Sequence, residues 1–201
     1  MRVLAEGDRF QQLIDSLCGD IGAAIAAEPA KDKSPTPDSP SGWALVGVRS
    51  RGDVIAKRVA ESMGEDRFAG RVGTLDITLY RDDLSEIGPQ PVVRTTEIDF
   101  PIDGLNIVLI DDVLMTGRSV RAALQSLMDL GRPRRVWLAV LVDRGGRELP
   151  IAPDFVAMNL TVGAVDAPAH GARVQVMVTP TDERDAVVVY NEQELERAER
   201  G

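Results

Sequence analysis

Cysteine is nearly missing from this chain: Cys18 is the only one in 201 residues. An intrachain disulfide is therefore excluded, and one thiol suits a reducing compartment. Histidine is equally scarce, with His170 alone, and without a His/Cys cluster no structural zinc is expected. No apolar run reaches the ~20 residues that a membrane-crossing helix needs. The N-terminus also lacks the apolar core of a signal peptide. A cytoplasmic protein that does not enter the membrane is expected. Basic charge is outweighed, 23 Lys and Arg against 32 Asp and Glu, giving a net charge of −9. A surface uniformly coated for nucleic acid is thereby excluded, because phosphate binding needs Lys and Arg to displace counterions. A local basic face is still allowed. Two nucleotide signatures are missing as well: GxGxxG does not follow the first strand, and GxxxxGK[ST] does not occur, so dinucleotide and P-loop readings have no support.

What is present suffices for one domain over residues 1–201, with 44% hydrophobic residues to build a core. Phe10, Leu13, Ile14, Leu17, Cys18, Ile21, Ala24 and Ile25 recur at helical spacing, which predicts an amphipathic helix over 8–27. Cys18 falls on its apolar stripe and is expected to be a packed thiol. Residues 28–42 (EPAKDKSPTPDSPSG) are rich in Pro and Ser and read as a flexible insertion. Residues 191–201 read as a charged tail, and His170 as an exposed loop residue.

The most informative stretch is Leu105–Arg121, LNIVLIDDVLMTGRSVR. Leu105–Ile110 is a β-branched-rich run of strand length. Asp111 and Asp112 are expected to end it, a loop with Thr116, Gly117 and Ser119 follows, and helical spacing begins at Arg118. Paired carboxylates beside a helix N-terminus can accept hydrogen bonds from vicinal hydroxyls while exposed N–H groups hold a phosphate. The plainer alternative is a strand and an N-capped helix, with Ser119 or Thr116 as the cap.

Two further loops have similar character. Ala44–Val48 predicts a buried strand, Arg49-Ser50-Arg51-Gly52 follows, and Asp53–Met63 predicts a helix. Two arginines with a glycine make an anion site, or simply a solvated loop. Val136–Val142 is wholly apolar, as in a strand buried on both faces, and ends in Asp143-Arg144-Gly145-Gly146-Arg147-Glu148. Val72–Tyr80 and Val92–Ile98 predict strands joined by a loop at about 81–91, a lid or a surface hairpin. Val120, Ala123, Leu124, Leu127 and Met128 predict the apolar face of a helix closed by Gly131 and Pro133. Phe155–Met158, Val174–Val178 and Ala186–Tyr190 are further strand candidates. Strand–loop–helix, repeated three times before residue 143, predicts a doubly wound α/β domain. The loops 49–52, 111–119 and 143–148 should then converge where such sheets bind ligands.

IVLIDDVLMTGRS at 107–119 resembles the phosphoribosyl pyrophosphate (PRPP) motif of type I phosphoribosyltransferases. VGVRSRG (46–52), AKRVAE (56–61), DITLYRDDLS (76–85), GRPRRVWLAVLVDRGGRELPI (131–151) and PDFVAMN (153–159) resemble the PyrR family. These are pyrimidine-operon attenuation regulators that are also uracil phosphoribosyltransferases. The resemblance covers most of 44–159. It implies the type I fold, a central mostly parallel sheet flanked by helices, with a small hood and a flexible hairpin lid. It implies transfer of uracil onto PRPP, giving UMP and diphosphate, with Mg²⁺ carried by PRPP and no dedicated metal ligands.

The resemblance also implies roles. Asp111 and Asp112 would take the ribose hydroxyls, and Met115, Thr116, Gly117, Arg118 and Ser119 the 5′-phosphate, with Leu114 also among the PRPP-binding residues. Ser50, Arg51 and Gly52 would hold pyrophosphate, in a loop that in this fold often carries a non-proline cis peptide. Arg51 and Arg81 would neutralise the leaving group, Tyr80, Arg81, Asp82 and Asp83 would belong to the lid, and Asp143, Arg144 and Arg147 would lie beside the base. Implied partners are PRPP, uracil, UMP or UTP, a pyrimidine-operon leader mRNA, and further copies in a homodimer or homotetramer. The chain departs from the family at Met115 (usually Tyr), Gly146 (His) and Met158 (basic). On the first helix Asp15, Ser16 and Gly19 stand where the family places Thr, Arg and His on an RNA-facing side. The small-molecule residues are kept while the basic face is eroded, which leaves open a nucleotide sensor that acts through a protein partner.

Overall fold

Three apolar segments pair side by side to make the middle of a parallel sheet. They are β2 (Trp43–Val48), β4 (Asn106–Leu114) and β5 (Arg135–Asp143), following β1 (Arg2–Glu6), with β3 (Val72–Leu75) between β2 and β4 in sequence. With β6 (Phe155–Asn159) the order is β3-β2-β4-β5-β6, every neighbour parallel. This computed structural model describes residues 1–28, 42–82, 95–161 and 172–190. The expectations for most of the 28–42 insertion, for Asp83 and most of the hairpin, for His170 and for the 191–201 tail lie outside the described residues.

Alternation along the strands separates two cores. Leu45, Val108, Ile110, Ala139 and Leu141 face the first, covered by α1 (Asp8–Ala27) through Phe10, Ile14, Leu17 and Ile21, and by α2 (Gly52–Met63) through Ile55 and Val59. Ala44, Val46, Ile107, Leu109, Leu138 and Val140 face the second, covered by α3 (Arg118–Leu130) through Val120, Ala123 and Leu127. Helices on both faces of a parallel sheet satisfy the doubly wound expectation. β1, β2 and β4 each lead directly into a helix, so the repeat does occur three times before residue 143, although β1 belongs to a different sheet. β3 is followed only by a short 3-10 turn at Thr78–Tyr80. The expected strand over 72–80 accordingly stops at Leu75. Of its partner, an isolated antiparallel bridge from Thr74 to Glu97 falls within the described residues.

A second sheet comes from the chain's two ends. β1 pairs antiparallel with β8 (Ala186–Tyr190), and β8 with β7 (Arg173–Met177), in the order β1-β8-β7. Leu4, Ala5, Val174, Val176, Val187 and Val189 join the core beneath α1 and α2. This small layer is the expected hood. β1 was not among the expected strands. On α3, Met128 is 49% exposed, not part of the apolar face. Ala122 and Ser126 are buried there instead.

Candidate functional site

β4 carries its two aspartates further into the sheet than the sequence suggests. Pairing with β5 runs on through Asp111↔Val140 and Val113↔Val142 to Leu114↔Asp143, so the strand ends at Leu114 and not at the acids. The neighbouring strand is equally long and supplies partners for the backbone groups beyond Asp112, which keeps the segment extended. Asp111 is buried and Asp112 half-buried at the C-terminal end of the sheet. Each carboxylate accepts the next backbone N–H: Asp111 Oδ1 from Asp112 at 2.9 Å, Asp112 Oδ1 from Val113 at 2.8 Å. Burial, then the Asp112 charge, push the Asp111 carboxyl well above its ordinary value. Burial also raises Asp112, offset in part by the Val113 N–H and the Arg51 charge.

Beyond Leu114 the chain turns at Gly117, φ 91°, and enters α3 with Gly117 as N-cap and no side-chain cap. Neither Ser119 nor Thr116 caps the helix in the expected way. Thr116 Oγ1 accepts only from Arg118 N, at 3.3 Å. The first turn of α3 thus keeps N–H groups for a ligand anion, with the positive end of the helix dipole behind them. Ser119 is exposed, and so is Met115.

The loop after β5 braces this turn. Arg147 donates from Nη1 to the Met115 carbonyl at 2.9 Å and from Nε to the Ile151 carbonyl at 3.0 Å, and pairs with Asp143 Oδ2 at 2.7 Å. Asp143 Oδ1 accepts Gly145 N–H at 2.9 Å, and Arg144 donates to the Ala172 carbonyl. Glu148 and Leu149 N–H both reach the Thr116 carbonyl. Arg147, paired with Asp143, therefore holds the two loops together, while Arg144 ties its loop to the segment before β7. Gly146 has φ 80°, a left-handed conformation that suits glycine.

The loop after β2 closes the third side. A cis peptide links Arg49 to Ser50. A Cβ on Gly52 would collide with the Ile110 carbonyl oxygen and lie 3.1 Å from Asp111 Cα, so only glycine lets α2 start against β4. Ser50 is exposed. Arg51 lies near enough to act electrostatically on Asp112, and its guanidinium meets Asp182. Sequence reasoning missed Asp182. Its only signal was the acidic run TDERD at 181–185 after a strand. From the lid segment, Tyr80 Oη donates to Asp129 Oδ2 at 2.8 Å and its carbonyl accepts from Arg121, which ties it to α3. Arg81 is exposed. Asp82 and Glu148 both pair with Arg118. The three charged loops do converge at one end of the sheet.

Among the described residues no group of three or more His, Cys, Asp or Glu side chains is arranged to hold a metal ion. Among the same residues no helix is long and apolar enough to cross a membrane. The chain is similar to known proteins over most of its length. The Phosphoribosyl transferase domain family matches residues 17–171. A "Bifunctional protein PyrR" of Thermus aquaticus is 52% identical over 155 residues, 76% of this chain and 81% of that one. One of Deinococcus radiodurans is 46% identical over 154 residues, again 76% and 81%. In fold, a hypoxanthine phosphoribosyltransferase of Trypanosoma cruzi superimposes with a TM-score of 0.67 at 16% identity, covering 96% of each chain.

Proposed function

This chain belongs to the phosphoribosyl transferase domain family, within its PyrR group, and on that premise we propose that it transfers uracil onto PRPP. The products are UMP and diphosphate. The observation that carries the reading is the juxtaposition of Asp111 and Asp112 with Arg51 on one side and an α3 N-terminus lacking a side-chain cap on the other. Carboxylates accept two ribose hydroxyls, backbone N–H groups take the 5′-phosphate, and a guanidinium takes the diphosphate.

In the reaction the C1′–O bond to diphosphate breaks and the C1′–N1 bond to uracil forms, while uracil loses its N1 proton. Positive charge develops on the ribose as diphosphate leaves. Asp111 and Asp112 orient the ring through its hydroxyls, and their negative charge lies on the side where that cation grows. Arg51 meets the charge of the leaving group, with Arg81 from the lid segment. Arg147 and Asp143 keep the base-side loop fixed against Met115. The hard oxygen donors of the Asp111 and Asp112 carboxylates would suit Mg²⁺. Brought in with PRPP, the ion would supply charge neutralisation beyond that of Arg51 and Arg81. Since the protein is acidic overall, these local groups have to overcome its own field.

Uracil, PRPP and Mg²⁺ with the purified chain should yield UMP, and Asp112→Asn should lower kcat/KM about 10- to 100-fold with the fold intact. PRPP binding without UMP formation would rule out the transferase. The same pocket makes the protein a uridine-nucleotide-responsive regulator of pyrimidine genes, acting on leader mRNA. A second reading, a nucleotide sensor with a protein partner, is favoured by one observation. Asp15, Ser16 and Gly19 all lie exposed on the outer side of α1.

A further inference from the structure

Arg51 is held by a residue of the hood. Its Nε donates to Asp182 Oδ2 and its Nη2 to Asp182 Oδ1, both at 2.8 Å. Asp182 lies in the turn between β7 and β8, far from Arg51 in sequence. Its own position is fixed, because Oδ2 also accepts the Val178 N–H at 2.9 Å. The hydrogen bonds from Arg51 hold its carboxyl below the ordinary value. Docking of this turn does not depend on that pair. Asp185 makes a separate two-point pair with Arg58 of α2, and Thr179 joins it through its N–H, hydroxyl and carbonyl.

A guanidinium offers more than one fork of donors. Asp182 occupies the fork formed by Nε and Nη2, which leaves the Nη1 side directed elsewhere. Arg51 is also close enough to Asp112 to stabilise its charge. We propose that Asp182 is a positioning residue, which fixes Arg51 through one fork so that the other meets the diphosphate of PRPP. The proposal rests on the PRPP reading of the site. A carboxylate held on two sides spares the arginine the rotamer entropy it would otherwise lose on binding.

The test is a double-mutant cycle read by calorimetric titration with PRPP and Mg²⁺. Asp182→Asn is expected to weaken binding about tenfold, but less than twofold when Arg51 is already Ala. The KM for PRPP should rise in step while the KM for uracil moves less than twofold. Asp185→Asn loosens the same turn without touching Arg51 and should leave PRPP affinity within twofold. Equal losses in both Arg51 backgrounds, tighter binding without the carboxylate, or an Asp185→Asn defect as large as that of Asp182→Asn would each overturn the proposal. If the unaltered chain binds no PRPP, the site reading itself falls and takes the proposal with it.

Discussion

Asp111 occupies a place that costs the fold stability. In the unfolded chain its carboxyl titrates near ~3.9. In the folded protein burial, and then the neighbouring Asp112 charge, raise it well above that. Between the two values the folded state binds more protons than the unfolded one. Stability therefore falls as pH rises through this window and stays low above it. Asp111→Asn removes the charge, and its carbonyl oxygen can still accept the Asp112 N–H now bound at 2.9 Å. At neutral pH the variant should melt about 2–4 °C higher than the unaltered chain. The gap should close below about pH 4. Calorimetric melting across pH checks this, and an unchanged or lower neutral Tm would contradict it. Activity should fall in the same variant, because the buried charge that weakens the fold is the one that receives the ribose.

The elements meet at backbone distance around that carboxylate. Gly47 of β2 packs on the Gly52–Asp53 backbone, and Gly52 packs on Ile110 of β4. A methyl group on Gly52 has no space on the β4 side, so Gly52→Ala must push the start of α2 away from the sheet. The expected cost is about 1–3 kcal/mol in denaturant unfolding, with weakened PRPP binding because Ser50 and Arg51 move with the helix. Full stability together with full affinity would show that the loop yields freely. The glycine in VGVRSRG was legible as a sign of close approach, and β2, β4, β5 and α1 through α3 were legible from apolar runs and spacing. Three things were not. Arg2–Glu6 is a strand only because Ala186–Tyr190 lies beside it, a pairing that no local pattern announces. The far end of β4 depends on its register with β5 rather than on Asp111 and Asp112 as strand breakers. The Arg51–Asp182 pair joins distant loops, and TDERD reads locally as a solvated turn.

For the whole molecule, the question is where an acidic chain can meet a polyanion. The active end of the sheet has its arginines committed: Arg51 to Asp182, Arg118 to Asp82 and Glu148, Arg147 to Asp143. The outer side of α1 presents Asp8, Asp15 and Asp20. Arg132, Arg134 and Arg135 lie at the start of β5, at the opposite end of the sheet from the site, and Arg135 stacks over Trp137 at 3.5 Å. Glu28 offsets part of this cluster through Arg134 and Arg135. Among the described residues, the proposed leader RNA therefore finds its densest group of cations in this partly offset cluster. Its binding should show a slope of log K against log salt no steeper than about −2, for roughly three phosphates at ~0.7 each. UMP or UTP should tighten it. Replacing the three arginines by Gln should abolish RNA binding and leave UMP formation intact, because the cluster and the transferase site occupy opposite ends of the same strands. Filter binding across salt, paired with the transferase assay, measures both. Leader RNA held no more tightly than a scrambled sequence at physiological salt would remove the RNA role and leave the protein-partner reading, with the acidic outer side of α1 as its first surface to test.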